Sequence, residues 1–341
     1  MDRDPSRKCI RDFRVDKPKR ECSLHYSRSS AIHPVWSGLA MDGFISRRRR
    51  RKRGPGFPAL LSLSAWFMAA DLACAQGDAQ ARDRSVFGRP AAPLDEPLVT
   101  DRPDFTESTD AVPFGRLQIE MGYTFTYDRE HDERTRDHTA PELLIRAGLF
   151  DNFELRIGWD GYAWSEDQFR AENRSGRPAT VEDWTQAAND LSLGFKYKFF
   201  EQEGLRPHFG VIGEVSLPSG SSAGSSGDVD PQVVLLWAYD LSDRLALAGN
   251  FGIGAPTEDG DRFAQASGSV SLAAALTGRL GGFVEYFGLY PNAEHADCAH
   301  SLDGGLTYLI NDNLQVDWRV GLGINEEADD FFTGVGFAWR F

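Results

Sequence analysis

Phe331-Phe-Thr-Gly-Val-Gly-Phe-Ala-Trp-Arg-Phe341 ends the chain. Thr333, Val335, Phe337, Trp339 and Phe341 fall on one side of a period of two, with Gly334, Gly336, Ala338 and Arg340 on the other. A period of two predicts a β-strand with one apolar and one polar face. A soluble edge strand shows the same pattern, so the stretch draws its weight from recurrence. Leu117, Ile119, Met121, Tyr123, Phe125 and Tyr127 alternate with Gln118, Glu120, Gly122, Thr124 and Thr126. Phe153, Leu155, Ile157 and Trp159 alternate with Glu154, Arg156, Gly158 and Asp160. Leu314, Val316, Trp318, Val320 and Leu322 alternate with Gln315, Asp317, Arg319 and Gly321.

Twelve such segments lie near 116–127, 142–149, 153–160, 191–199, 206–217, 231–240, 245–254, 266–277, 280–290, 300–310, 314–324 and 331–341. The connections alternate in length. Short ones sit at 150–152, 201–205, 240–243, 277–279 and 311–313, where Asn and Asp recur as tight turns prefer. Longer ones sit at about 128–140, 164–189, 218–230, 255–265, 291–299 and 325–330. Short turns on one side and long loops on the other are the outer-membrane pattern, with both barrel ends on the periplasmic side. The predicted fold is all-β, a transmembrane antiparallel up-and-down β-barrel of about 12 strands over residues 116–341. A terminal strand that closes on Trp339 and Phe341 resembles the assembly signal of bacterial outer-membrane barrels. That resemblance implies outer-membrane lipids and the barrel-assembly machinery as partners.

The beginning of the chain reads differently. Arg47–Arg53 is wholly basic, Phe57–Ala70 is mostly apolar, and Ala73-Cys74-Ala75 is a small-x-small end. Together they describe a secretory signal peptide over 41–75, cleaved after Ala75. Its apolar run is too short to cross a bilayer as a helix. Met41 stands where a start is expected, so 1–40 reads as an upstream extension from a start set too early. Residues 76–115 are rich in Pro, Asp and Arg and show no period, which makes them a periplasmic leader or a plug that folds into the barrel.

Of 37 basic and 51 acidic residues, 16 and 7 precede position 76, so the remainder carries 21 and 44, a net of −23. Such a surface repels nucleic acid. Cys298 is the one cysteine after position 76, which excludes an intramolecular disulfide and a multi-cysteine zinc site there. The acidic loops 128–133, 258–261 and 326–330 read as solvated, although carboxylates at that height also suit divalent cations bridging lipopolysaccharide.

With the apolar face toward lipid, the other face points Glu120, Glu142, Arg146, Glu154, Arg156, Asp160, Lys196, Lys198, His208, Glu214, Asn250, Glu285, Asp303, Asp317, Arg319 and Arg340 inward. The expected neighbours are Arg146 with Glu154, Arg156 with Glu142, and Lys196 and Lys198 with Glu154 and Asp160. These charges either line a polar conduit or fill a narrow barrel with salt bridges; twelve strands lie between the filled and open regimes. No nucleotide-binding loop is present, and no cofactor is expected.

Two catalytic or metal patterns compete with this view. Gly220-Ser-Ser-Ala-Gly224 matches the nucleophile-elbow spacing, which belongs on a strand-to-helix turn. A Ser/Gly-rich flexible loop yields the same match by composition and is preferred, so no catalytic residue is assigned. A lipid hydrolase would need a histidine beside an outer-rim serine, and His131, His138, His295 and His300 fall in or beside outer loops. His295-Ala-Asp-Cys-Ala-His300 lacks the second pair that a metal site needs, and none is assigned.

Thr100-Asp101-Arg102-Pro103-Asp104-Phe105-Thr106-Glu107-Ser108, just ahead of the first strand, resembles the opening motif of an outer-membrane family named for a MetA pathway of phenol degradation. Gly213–Gly220, Trp237–Leu245, Gly249-Asn250 and Phe283–Gly288 are also similar to it, so the resemblance spans about 97–341. It implies a transporter-like barrel that passes small hydrophobic or aromatic solutes, without a shared catalytic set. A structural or adhesive barrel without transport is the alternative.

Overall fold

The computed structural model describes residues 91–341 apart from 131–132, 173–177, 259 and 294–295. The signal peptide, the upstream extension, residues 76–90 of the leader, His131 and His295 lie outside the described residues. Sixteen strands follow in order: β1 (Leu117–Asp128), β2 (Arg134–Phe150), β3 (Phe153–Trp159), β4 (Tyr162–Glu172), β5 (Pro178–Ala188), β6 (Leu191–Phe200), β7 (His208–Leu217) and β8 (Asp230–Ser242). Then come β9 (Leu245–Gly254), β10 (Thr257–Glu258), β11 (Asp261–Arg262), β12 (Ala264–Ala275), β13 (Leu280–Asn292), β14 (Ala299–Asn311), β15 (Leu314–Gly323) and β16 (Phe331–Arg340).

Twelve of them close a ring. The order runs β1-β16-β15-β14-β13-β12-β9-β8-β7-β6-β3-β2, and β2 pairs back to β1. All the ladders are antiparallel, and the closing one sets Gln118 opposite Arg340 and Tyr127 opposite Phe331. Closure leaves no free edge in the ring, the condition for a sheet in lipid.

The distribution of side chains is inside out. Among the described residues 38 buried side chains are polar or charged and 13 are apolar. Ile157, Leu193, Val233, Phe251, Val284, Leu302 and Val335 lie outside, 44–62 % exposed. An apolar belt of that extent is not compatible with water and is the surface a bilayer covers. The alternation of each strand thus sets the barrel in a membrane.

Two predicted boundaries are corrected. Residues 164–189, expected as one long loop, contain β4 and β5, and β2 begins at Arg134 rather than near 142. β3 and β4 run consecutively along β2, facing Leu143–Phe150 and Arg134–Ala140 respectively. The step between them falls beside Pro141, which has no N–H to give a ladder. Gly161 turns the chain there at φ +73°, and a Cβ on it would meet the Pro141 carbonyl oxygen at 2.3 Å. β5 continues into β6 on the other limb, so a hairpin rises above the wall. Its residues bury no lipid face, so they need no strict apolar–polar alternation.

Candidate functional site: a plug seated in the lumen

The segment before β1 enters the barrel at the short-turn end. Leu98 N–H donates to the Asp312 carbonyl of the β14–β15 turn at 2.8 Å, and Arg340 donates to the Glu96 carbonyl at 2.6 Å. The chain climbs to Phe105, near the long loops, and descends to Gly115, whose N–H reaches Gly148 O at 2.8 Å. Ser108 N–H donates to Asp101 Oδ1 at 3.1 Å and ties the two limbs. Asp101, Arg102, Phe105, Thr106 and Glu107 are all buried. The described part of the segment thus runs among the inward side chains of the strands.

Asp101 is the anchor. Its carboxylate accepts from Lys196 Nζ at 2.7 Å and from Arg156 Nη1, with Arg146 Nη1 at 3.4 Å. Burial works against its charge, but Arg146, Lys196 and Arg156 outweigh burial and hold the carboxyl well below its ordinary range. Arg146 also binds Glu154 at 2.8 Å and Glu120 at 2.9 Å. Arg102 reaches Glu142 at 2.9 Å and Asp317 at 3.6 Å. Glu107 meets Arg156 at 3.0 Å; burial pushes its carboxyl up to about 7 while Arg156 pulls it down.

Of the charge pairs expected within the wall, Arg146–Glu154 is formed. Arg156 turns to Asp101, Glu107 and Glu154 instead of Glu142, which holds Arg102. Lys196 stands opposite Glu154 across the β3–β6 ladder as expected and also binds Asp101 at 2.7 Å, while Lys198 binds Asp110 at 2.6 Å and Glu201 at 2.7 Å. An inserted chain brings its own charges and backbone carbonyls closer to these cations than the neighbouring strands do.

Glycines shape the wall to the plug. Gly122 and Gly336 face each other across the β1–β16 ladder. A Cβ on either would collide with the Arg102 guanidinium, at 2.3 Å from Gly122 and 2.5 Å from Gly336. A Cβ on Gly148 would meet the carbonyls of Pro113 and Val112 at 2.2 and 2.3 Å. The sequence signal was the run of glycines on the polar face of strands; what fills the hollows was not legible.

At the tip the lumen turns apolar. Phe105 packs on Phe287 with ring centroids 3.6 Å apart and edge-on to Phe332 at 5.9 Å, beneath Ala328 of the β15–β16 loop. Arg319 lies over the Phe105 ring at 4.8 Å and donates to Pro103 O at 3.1 Å. On this side the plug is held by a serine hydroxyl and a carboxylate to which it donates hydrogen bonds. Thr106 Oγ1 bonds Ser269 Oγ at 2.7 Å and donates to Glu285 Oε1, and Phe105 N–H donates to Glu285 Oε2 at 2.7 Å. Burial, then the nearby Glu285 charge, raise Asp104 well above its usual range.

The remaining expected residues scatter. Asp160, Glu214 and Asn250 are buried inside, and Arg340 closes the short-turn end. His208 sits at the rim between Glu201 at 2.8 Å and Asp240 at 3.1 Å. His138 and His300 bond tyrosine hydroxyls, Tyr123 and Tyr286, each at 2.7 Å. The 220–224 loop joins two strands, not a strand and a helix. It is also not loose: Ser219 and Gly220 donate backbone N–H groups to Asp190 Oδ1 at 2.9 and 2.7 Å.

A closed twelve-stranded ring with a lipid-facing apolar belt, and with its leading segment among the inward side chains, defines a membrane β-barrel. The chain belongs to the family described as "Putative MetA-pathway of phenol degradation", whose model matches residues 100–341 and so takes in the plug motif itself. No curated protein matches the sequence. Among solved structures it is similar to the COG4313 outer membrane channel from Pseudomonas putida F1, at 13 % identity and a TM-score of 0.49, over 69 % of this chain and 98 % of that one. The NanC porin is similar at 10 % identity and a TM-score of 0.40, over 65 % and 98 %. The CymD monoaromatic hydrocarbon channel is similar at 10 % identity and a TM-score of 0.35, over 66 % and 88 %.

Proposed function

We propose that this barrel is an outer-membrane channel for passive passage of small hydrophobic or aromatic solutes, with the plug as its moving part. The observation that carries this is the cluster of Phe105, Phe287 and Phe332 at the plug tip. It is an apolar place inside a lumen lined largely by charge and hydroxyl, apart from Ile212, Val234 and Leu236 on β7 and β8, and one of its three rings belongs to the leading segment. The family's description, which names phenol degradation, supports the same solute class. The lumen residues from Glu120 to Arg340 serve here as the plug's seat, and lipid and the assembly machinery are the remaining partners we assign. The solute's own gradient supplies the driving force.

The test is flux of a neutral aromatic, 2-phenylethanol, into liposomes carrying the refolded full chain. Faster entry than into empty liposomes supports the channel. Entry at the protein-free rate, with the barrel folded by heat-modifiable gel migration, overturns it in favour of a structural role.

A further inference from the structure

The plug tip carries the shape of a solute. The atoms of Phe105 from its backbone nitrogen through Cα and Cβ to the ring form the skeleton of a 2-arylethylamine. Both ends of that skeleton are held by β13, the N–H by Glu285 at 2.7 Å and the ring by Phe287 at 3.6 Å. Glu285 and Phe287 are inward residues two positions apart, so carboxylate and ring are separated by about 7 Å along the strand. An arylethylammonium bridges that gap with its nitrogen on the carboxylate and its ring on Phe287.

What Phe105 offers Glu285 is a neutral amide, and the surroundings call for a cation. Asp303 stands directly opposite Glu285 in the β13–β14 ladder. Asp303 is 7 % exposed, and neither of its oxygens has a hydrogen-bond partner unless a proton is shared with Glu285. A third carboxylate, Asp104, accepts from Ser271 Oγ at 3.2 Å, and Ser271 is the β12 residue paired with Glu285. Like charges opposite one another across a ladder repel, and burial raises the cost. Arg319 donates to Pro103 O and Thr124 Oγ1 and its charge also reaches Asp303, so a single guanidinium serves a cluster of three carboxylates. The reach from Glu285 to the Phe287 ring is what favours an organic cation that carries a ring.

We propose that this corner of the lumen binds protonated aromatic amines of the arylethylamine type, which compete with Phe105 for Glu285 and Phe287 and so unseat the plug tip. The proposal rests on the channel reading and names the solute class of that site. A charged donor strengthens the bond to a carboxylate roughly twofold over a neutral one. Phe105, as a tethered competitor, lowers the apparent affinity by the fraction of time it is seated.

The test uses the full chain refolded in detergent, with calorimetric titration of 2-phenylethylamine, 2-phenylethanol and 3-phenylpropionate. The amine binds at least about tenfold more tightly than the alcohol, and the carboxylate most weakly. Glu285→Gln removes the advantage of the amine; should that variant fail to fold, Asp303→Asn must reduce it. Phe105→Ala tightens amine binding. Equal binding of the three compounds, or an amine preference untouched by both carboxamide variants, overturns the proposal. The 2-phenylethanol flux assay separates the two readings. Flux without amine preference leaves the channel and removes the amine site; amine preference without flux keeps the site and removes the channel.

Discussion

The lumen has two walls that hold the plug by different physics. Along β1, β2, β3 and β6, Glu120, Glu142, Arg146, Glu154, Arg156 and Lys196 each meet an opposite charge from the wall or the plug. Along β12, β13 and β14 the plug gives its Phe105 N–H and Thr106 hydroxyl to the Glu285 carboxylate and shares a hydrogen bond with the Ser269 hydroxyl, and the Ser267 and Ser301 hydroxyls are buried without a partner. Breaking one partner of a buried ion pair costs about 3–5 kcal/mol, whereas a neutral hydrogen bond contributes about 1 kcal/mol. On the channel reading we propose, the first wall is a lock and the second is the side from which the tip moves. A plug pinned on one side and lightly held on the other can yield at Phe105 while Asp101 stays in place.

The largest effect is expected from Asp101→Ala. It leaves Arg146, Arg156 and Lys196 facing one another without their shared carboxylate, a loss of about 3–5 kcal/mol in plug seating. Single-channel conductance in planar bilayers then rises well above that of the parent chain; unchanged conductance would place the lock elsewhere.

Next comes Gly336→Val. The strand accepts valine, but its side chain takes the place of the Arg102 guanidinium. Expected are a folded barrel, as read from heat-modifiable migration, and an intermediate rise in conductance.

A smaller effect follows pH. The Glu107 carboxyl is raised to about 7 by burial, against 4.5 when free, so the seated plug holds that proton more tightly than the released one. Seating is strongest at or below about pH 4.5 and weakens as pH rises to about 7. Asp101 has the opposite sign: its lowered carboxyl stabilises the seat above its free value of 3.8 and is lost only at more acid pH. Conductance is therefore higher at pH 8 than at pH 5, and Glu107→Gln flattens the difference.

The smallest effect is expected on the second wall. Ser269→Ala removes one neutral hydrogen bond to Thr106, about 1 kcal/mol. If it opened the channel as far as Asp101→Ala does, the distinction between lock and release side would be gone.

Much of the barrel was legible because lipid imposes a local rule. Each wall strand must show apolar side chains to the bilayer at every second position, and Leu191–Phe199 or Leu314–Leu322 records that without help from the rest of the chain. The β4–β5 hairpin escaped because it rises beyond β3 and β6 and obeys no such rule. Trp164 and Trp184 stand among Glu166, Gln168, Glu182 and Asp183, a mixture that reads as loop. The inward direction of Arg146, Arg156 and Lys196 was equally legible, but their partners were not. Asp101 lies 45, 55 and 95 residues away from them, and no local pattern encodes such distances.

The sequence by itself determined the closed sheet, its strand phases, the side of the short turns and the family to which the motif at 100–108 belongs. Period-two alternation is a property of neighbouring residues, and a bilayer reads it directly. Only the tertiary structure decided that this motif turns inward, that Gly122 and Gly336 make room for Arg102, and that Phe105 meets Phe287 and Phe332 across more than 180 residues of chain. Those contacts depend on which residues a closed ring brings face to face across its interior, and that is fixed by closure and register rather than by any one strand.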